Sequence, residues 1–213
     1  MTALVWALCR LPPQVENPAE LASKAHSALQ GGLGSGVDVA TSIRGGVIEY
    51  RAADGPTARR HPWPDGLCYR FLWSGCPADT AVRLRKLGGT PSDDASWSGL
   101  RAAADEVAAA WADGHGVTVL ESLGHYTNAL RQFSIDRDLG VFDAGHGTLA
   151  DLAAASGIRY KPCGAGGGDI GMVLAGDDAA VSDFCVQASA YGFQPLSVAL
   201  DTSGVETNFE DRR

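Results

Sequence analysis

The chain has 213 residues, 45% of them hydrophobic, which suffices for one large or two modest globular domains with a real core. Its formal charge of -8 and pI near 5.0 argue against a nucleic-acid partner, which calls for a basic face to neutralise phosphates. The five cysteines, Cys9, Cys68, Cys76, Cys163 and Cys185, include no Cys-x-x-Cys pair. They argue against a disulfide scaffold or a zinc site and for reduced thiols in the cytoplasm.

Met1 to Leu8 is apolar, but it is too short to span a bilayer and has no basic leader, so no membrane association is expected. The segment reads as part of a buried helix entered without an N-cap, and the expectation is that the chain begins partway through a domain. Pro12-Pro13 ends that helix. Asn17-Pro18-Ala19-Glu20 then offers a cap, a proline at the first helical position and a glutamate three residues after the cap, which predicts a helix over 18–30. Gly31-Gly32 stops it, a short helix follows Gly34 to Asp38, and Gly45-Gly46 leads into a strand over 47–50. Residues 52–66, rich in Pro, Gly, Arg and Asp without periodicity, are expected to be a loop, with a domain boundary near 66. Beyond it the patterns give a strand over 68–73 and helices over 77–87, 93–112, 116–137 and 146–155. Strands over 158–162, 170–175 and 195–200 with a helix over 178–191 complete an α+β layer on a small, mostly antiparallel sheet. The polar tail after Gly204 is expected to fray.

Two segments carry chemistry. Gly31-Gly32-Leu33-Gly34-Ser35-Gly36-Val37-Asp38 sets backbone amides and a helix start where an anion could lie, with Asp38 beside it. A bare glycine turn between two helices is the alternative. Lys161-Pro162-Cys163-Gly164-Ala165-Gly166-Gly167-Gly168-Asp169-Ile170-Gly171 lies between two strand signals, and its glycine density costs folding entropy that close approach of a ligand would justify. An ordinary hairpin turn is the alternative there. No strand-helix-strand unit with a ribose-binding acid follows, so it is not a dinucleotide fingerprint.

Read together, these segments resemble the GHMP superfamily of small-molecule kinases, named for galactokinase, homoserine kinase, mevalonate kinase and phosphomevalonate kinase. Gly34 to Asp38 is similar to the stretch presenting the family's active-site aspartate, and Cys163 to Gly171 to its C-terminal glycine loop. Ala25-His26 and Gln30, Asp38-Val39-Ala40-Thr41-Ser42 with Gly45-Gly46, Trp73-Ser74-Gly75 with Ala78 and Thr80, and Lys161-Pro162 are similar to the phosphomevalonate kinase branch. The resemblance runs over about residues 1–205. It implies an α+β chain in which 1–66 are the remainder of a GHMP kinase N-terminal domain, ribosomal protein S5 domain 2-like. Residues 67–213 would form a ferredoxin-like GHMP kinase C-terminal domain. It further implies ATP-dependent phosphoryl transfer, with ATP and Mg2+ as cofactors, to a small phosphorylated or hydroxylated metabolite. Phosphomevalonate is the first choice of acceptor; mevalonate, a sugar or a polyol, or a non-catalytic remnant, are the alternatives.

On that resemblance Asp38 is the catalytic residue, and Ser35, Gly36, Thr80, Lys161, Gly164, Ala165, Gly166 and Gly167 bind substrate. Phosphoryl transfer rests on positioning and charge compensation. Asp38 would therefore orient the acceptor oxygen, and act as a base only on an alcohol. Lys161 is the first candidate for the compensating cation. Arg44 and Lys24 follow, with ordinary surface charge as the competing reading. Thr80 and Ser74 could bond substrate oxygens or simply cap a helix. His26 is expected to pack between helices, and His115, His125 and His146 lack the spacing of metal ligands. The chain departs from the family in one respect. Its Pro-x-x-x-Gly-Leu-Gly-Ser-Ser-Ala phosphate loop and a lysine-bearing strand are not among the 213 residues, so no ATP-binding residue is assigned. Apolar surface left by an absent layer would favour a homodimer.

Overall fold

The computed structural model describes residues 18–29, 35–52, 56–88 and 94–205. The helix expected over the first ten residues, the first three glycines of the aspartate motif and the tail beyond 205 lie outside the described residues. The chain divides into two units, one of Met1–Trp63 with Ala199–Arg213 and one of Pro64–Val198.

In the first unit, α1 (Pro18–Leu29) and α2 (Val37–Arg44) are followed by β1 (Val47–Arg51) and β2 (Thr57–His61). Ala22 of α1, Val39 of α2 and Val205 are buried against one another, with Ile43 packed beside them. The strands β1 and β2 form an antiparallel hairpin in which Val47 faces His61 and Arg51 faces Thr57. This corrects the expected loop over 52–66. Arg59 and Arg60 concealed the strand from a hydropathy reading, yet Arg60 donates to the carbonyl of Thr202 and His61 is buried 3.4 Å from the Glu49 carboxylate. Of the tail after Gly204, Val205 is tied down, donating to the carbonyl of Ile43 at 2.8 Å, and just ahead of it Gly46 donates to that of Asp201 at 2.6 Å; the rest of the tail lies outside the described residues. Side-chain-free residues are required at this crossing: a Cβ on Gly45 would lie 2.8 Å from the Ser203 carbonyl carbon and 2.9 Å from the Gly204 Cα.

The second unit runs β3 (Cys68–Trp73), α3 (Thr80–Leu87), α4 (Ala95–Asp113), α5 (Gly116–Asp136), α6 (His146–Ala155), β4 (Arg159–Pro162), β5 (Ile170–Ala175), α7 (Asp178–Ser189) and β6 (Gln194–Leu196). Its sheet is antiparallel throughout, in the order β4-β5-β3-β6. Counted within the unit this is 2-3-1-4, the strand order of the ferredoxin-like split βαβ arrangement, with four helices inserted in the first crossover. The last strand is shorter than the expected 195–200, since only Gln194–Leu196 pair with β3. Strand alternation sends Leu72 and Val173 into a core shared with Leu149 and Ala153 of α6 and Val181 and Phe184 of α7. Gly171 is needed inside β5 because a Cβ there would overlap the Tyr160 ring crossing from β4. A second cluster, Phe133, Leu139 and Val141, gathers Trp97 and Leu100. Arg137 closes it by stacking 4.2 Å from the Phe133 ring centroid while pairing with Asp94. Among the described residues no helix is long and apolar enough to cross a membrane.

Candidate functional site

The carboxylate of the first unit stands on a short helix. Gly36, at φ 79°, ends the preceding turn in a left-handed conformation and starts α2, offering no side-chain cap. The turn is tied down from outside the helix, where the Tyr50 hydroxyl of β1 donates to the Ser35 carbonyl at 2.7 Å. Asp38 then falls in the first turn, where the helix dipole favours a negative charge. Its Oδ1 accepts from the Val39 N–H at 3.0 Å, and its Oδ2 lies 2.6 Å from Nε2 of His26, a buried residue of α1. The Asp38 side chain is 41% exposed, so the remaining lone pairs of the carboxylate reach solvent. His26 is buried, with the Asp38 carboxylate of the next helix beside it, as expected of a histidine packed between helices; the internal hydrogen bond expected with that packing is not formed at Nε2, which meets Asp38 without an aligned hydrogen bond. Lys24, by contrast, pairs with Glu20 one turn away at 2.7 Å and is 71% exposed, in keeping with its surface-charge reading.

The glycine loop of the second unit is held almost wholly by backbone. The Cys163 N–H donates to Ile170 at 2.8 Å, that of Gly167 to Val141 at 2.7 Å and that of Asp169 to Cys76 at 2.6 Å. Gly164, Gly166, Gly167 and Asp169 all have φ between 52° and 68°, and Gly168 has φ 150°. The glycines differ sharply in what surrounds them. A Cβ on Gly166 would overlap Val141, one on Gly167 would overlap the Arg83 guanidinium and lie 2.5 Å from the Gly140 oxygen, and one on Gly168 would lie 2.8 Å from the Cys76 oxygen. A Cβ on Gly164 would meet nothing within 4 Å. Close approach thus explains three of the four glycines, but the approaching groups are this chain's own turns at 76–77 and 140–141. Gly164, followed by the half-buried Ala165, is open to solvent, as is Asp169 at the far end of the loop. Among the described residues neither the Gly164 nor the Ala165 N–H has a backbone acceptor, an arrangement suited to an anion.

Two side chains to which the sequence reading gave no role, Arg83 and His146, anchor this loop. The Arg83 guanidinium of α3 spans the carbonyls of Gly140 and Gly167, each at 3.4 Å. His146, fully buried at the start of α6, contacts the Gly168 carbonyl through Nε2 at 3.0 Å and the Tyr160 hydroxyl through Nδ1 at 2.7 Å. A carbonyl can only accept, so Nε2 carries the proton and Nδ1 accepts from the tyrosine. Burial pushes the His146 imidazole below its ordinary range, against the opposing pull of the Gly168 bond and the Asp169 charge, while Arg83 adds to the lowering. Burial likewise raises the Tyr160 hydroxyl and the Cys163 thiol. The sequence offers no periodic or spacing signal for either anchor.

Of the remaining candidates, Lys161 is half-buried with its Nζ 2.8 Å from the Pro162 carbonyl, so its ammonium is engaged beside the loop. Thr80 is not the cap of α3. Asp79 takes that role, accepting from the Val82 N–H, and the helix begins at Thr80 rather than at 77. The exposed Thr80 hydroxyl has no partner among the described residues. Ser74 folds onto its own turn, donating to the Cys76 carbonyl at 3.1 Å and accepting from the Cys76 N–H at 3.3 Å. No group of three His, Cys, Asp or Glu side chains suited to a metal converges among the described residues.

No family model matches the chain. A phosphomevalonate kinase from a Streptomyces species is 30% identical over 199 residues, covering 81% of this chain and 53% of the relative. The chain therefore spans about half the length of that curated protein. Among solved structures, a Lin0012 protein from Listeria innocua matches with a TM-score of 0.81 at 18% identity, over 93% of this chain and 64% of its own. Phosphomevalonate kinase from Streptococcus pneumoniae, in complex with phosphomevalonate and AMPPNP, matches at 0.68 and 17% identity over 86% and 60%. The mevalonate kinase of L. major in complex with R-mevalonate matches at 0.61 and 18% over 87% and 61%. These structural likenesses establish the fold.

Proposed function

We propose, from the premise that this chain belongs to the GHMP kinase superfamily, that it supplies the acceptor-handling part of an ATP-dependent small-molecule kinase. Phosphomevalonate is the acceptor, and diphosphomevalonate and ADP are the products. The observation that carries this reading is the carboxylate of Asp38, fixed on two sides and open to solvent on the third. The curated phosphomevalonate kinase matched over most of the chain supports the choice of acceptor.

In this reading Asp38 orients the attacking oxygen of the acceptor. The second pKa of a phosphate monoester is about 6, so at neutral pH that oxygen is already mostly deprotonated and needs no base. The work of the protein is then positioning and charge compensation. In the first unit Ser35 and Gly36 precede Asp38; in the second, the open N–H groups of Gly164 and Ala165, Lys161 beside them and the exposed Thr80 hydroxyl are the groups suited to bind an anion. Gly166 and Gly167 act by holding that loop in shape. ATP supplies the transferred phosphoryl group and Mg2+ its charge neutralisation. The S. pneumoniae neighbour, solved with AMPPNP, supports ATP as donor. No residue of this chain is assigned to either cofactor, and the described residues offer no metal cluster of their own.

The test is ADP release by the full-length gene product with ATP and Mg2+, comparing phosphomevalonate, mevalonate, galactose and homoserine. Turnover with phosphomevalonate well above the others is the expected result. Turnover with mevalonate or a sugar instead would move the protein to another GHMP activity, and silence with all four would overturn the kinase reading.

A further inference from the structure

We infer that His26 is the positioning residue of Asp38, an inference that rests on the reading of Asp38 as the acceptor-orienting carboxylate. Asp38 stands near the start of a helix of eight residues whose cap, Gly36, contributes no side chain. Nothing in α2 beyond the adjacent Val39 N–H holds the carboxylate in one rotamer. The second hold comes from a different helix. His26 lies on α1, is only 6% exposed and brings Nε2 to 2.6 Å from Oδ2. A bare imidazole nitrogen at that distance would set its lone pair against those of the carboxylate, so Nε2 carries a proton. The approach lies off the N–H axis and makes an electrostatic contact rather than an aligned hydrogen bond.

Burying a polar ring is costly unless a partner compensates it. Of the charged groups in the neighbouring elements, Glu20 and Lys24 on α1 pair with each other, Glu49 on β1 pairs with Arg51 and His61, Arg44 lies in the last turn of α2, and Asp38 is the ion-pair contact of the His26 ring among the described residues. The imidazole therefore fixes the direction in which Asp38 presents its open lone pairs. Because a misplacement of about 1 Å can cost about 100-fold in rate, loss of this contact is expected to act on turnover.

The test is a double-mutant cycle on the 213-residue chain, with His26→Leu and Asp38→Ala read by urea unfolding. The expected result is a combined midpoint shift clearly smaller than the sum of the two single shifts; strictly additive shifts would overturn the pairing. Where His26→Leu does not fold, the ring nitrogen resonances of His26 replace the cycle. Asp38→Ala must move the Nε2 signal, and an unmoved signal sinks the proposal. In the full-length enzyme, His26→Leu is expected to lower kcat by about 10- to 100-fold with KM for ATP unchanged, and His26→Gln, which keeps a donor at the Nε2 position, to restore much of it. Equal loss in both variants would assign His26 a packing role. Should the enzyme phosphorylate none of the acceptors, the kinase reading fails, while the unfolding cycle and the ring resonances still decide whether the two side chains are coupled.

Discussion

The aspartate turn and the glycine loop are both glycine-marked, but they are built by different means. At the turn the group proposed to function is a side chain, held by another side chain 12 residues earlier in sequence and by a neighbouring backbone N–H. In the loop the groups proposed to function are backbone, and the fixing contacts run to the turns at 76–77 and 140–141, with His146 and Arg83 as its side-chain anchors. Three of the loop's glycines make room for the protein itself, and Gly164 alone of the four faces open space. A glycine-rich sequence thus marks a backbone under constraint, and the source of that constraint need not be a ligand.

This contrast can be broken by substitution. The largest effect is expected for Gly167→Ala, which combines φ 67° with a Cβ overlapping Arg83. It should cost about 3 kcal/mol or more of stability in urea unfolding, the range of severe backbone and packing lesions. Asp38→Asn should lower kcat by about 100-fold, with a smaller fall in the unfolding midpoint from loss of the carboxylate charge beside His26; an unchanged rate would remove Asp38 from the mechanism. Gly164→Ala, at φ 59° in open space, should cost only about 1 to 2 kcal/mol and show its main effect as a raised acceptor KM. A Gly164→Ala variant as unstable as Gly167→Ala would erase the distinction drawn between the two positions.

A pH titration of stability sharpens the same comparison. Because burial lowers the folded-state pKa of His146, the unfolded chain takes up its proton first as the pH falls. The stabilising contribution is therefore complete above about pH 6.5 and is lost progressively below it. Unfolding midpoints measured between pH 7.5 and 5 should fall, and His146→Gln should flatten the part of that slope due to this group. The smallest effect is expected at Lys24, where removal of an exposed helical ion pair by Lys24→Ala should shift stability by about 0.5 kcal/mol or less.

The sequence was legible where chemistry and periodicity coincide. Strands β3 and β5, helix α6 and the antiparallel α+β layer match their expected positions because alternating or 3.6-residue patterns are local properties. Strand β2 was missed because Arg59 and Arg60 mask its alternation, and its pairing with β1 is a tertiary fact. Val205 was read as part of a frayed tail because the buried neighbours that hold it, Ala22 and Val39, are more than 160 residues away in sequence. At the candidate site, glycine spacing and the resemblance pointed to Asp38 and the loop. His26, Arg83 and His146 act through contacts between separate elements, and no linear pattern encodes those.

Steady-state ADP release from the full-length protein with phosphomevalonate against mevalonate, with Asp38→Asn assayed alongside, decides which acceptor the proposed Asp38 site serves. Robust turnover with phosphomevalonate, lowered about 100-fold by Asp38→Asn, is the expected result. Turnover that is absent, or indifferent to this substitution, would contradict it.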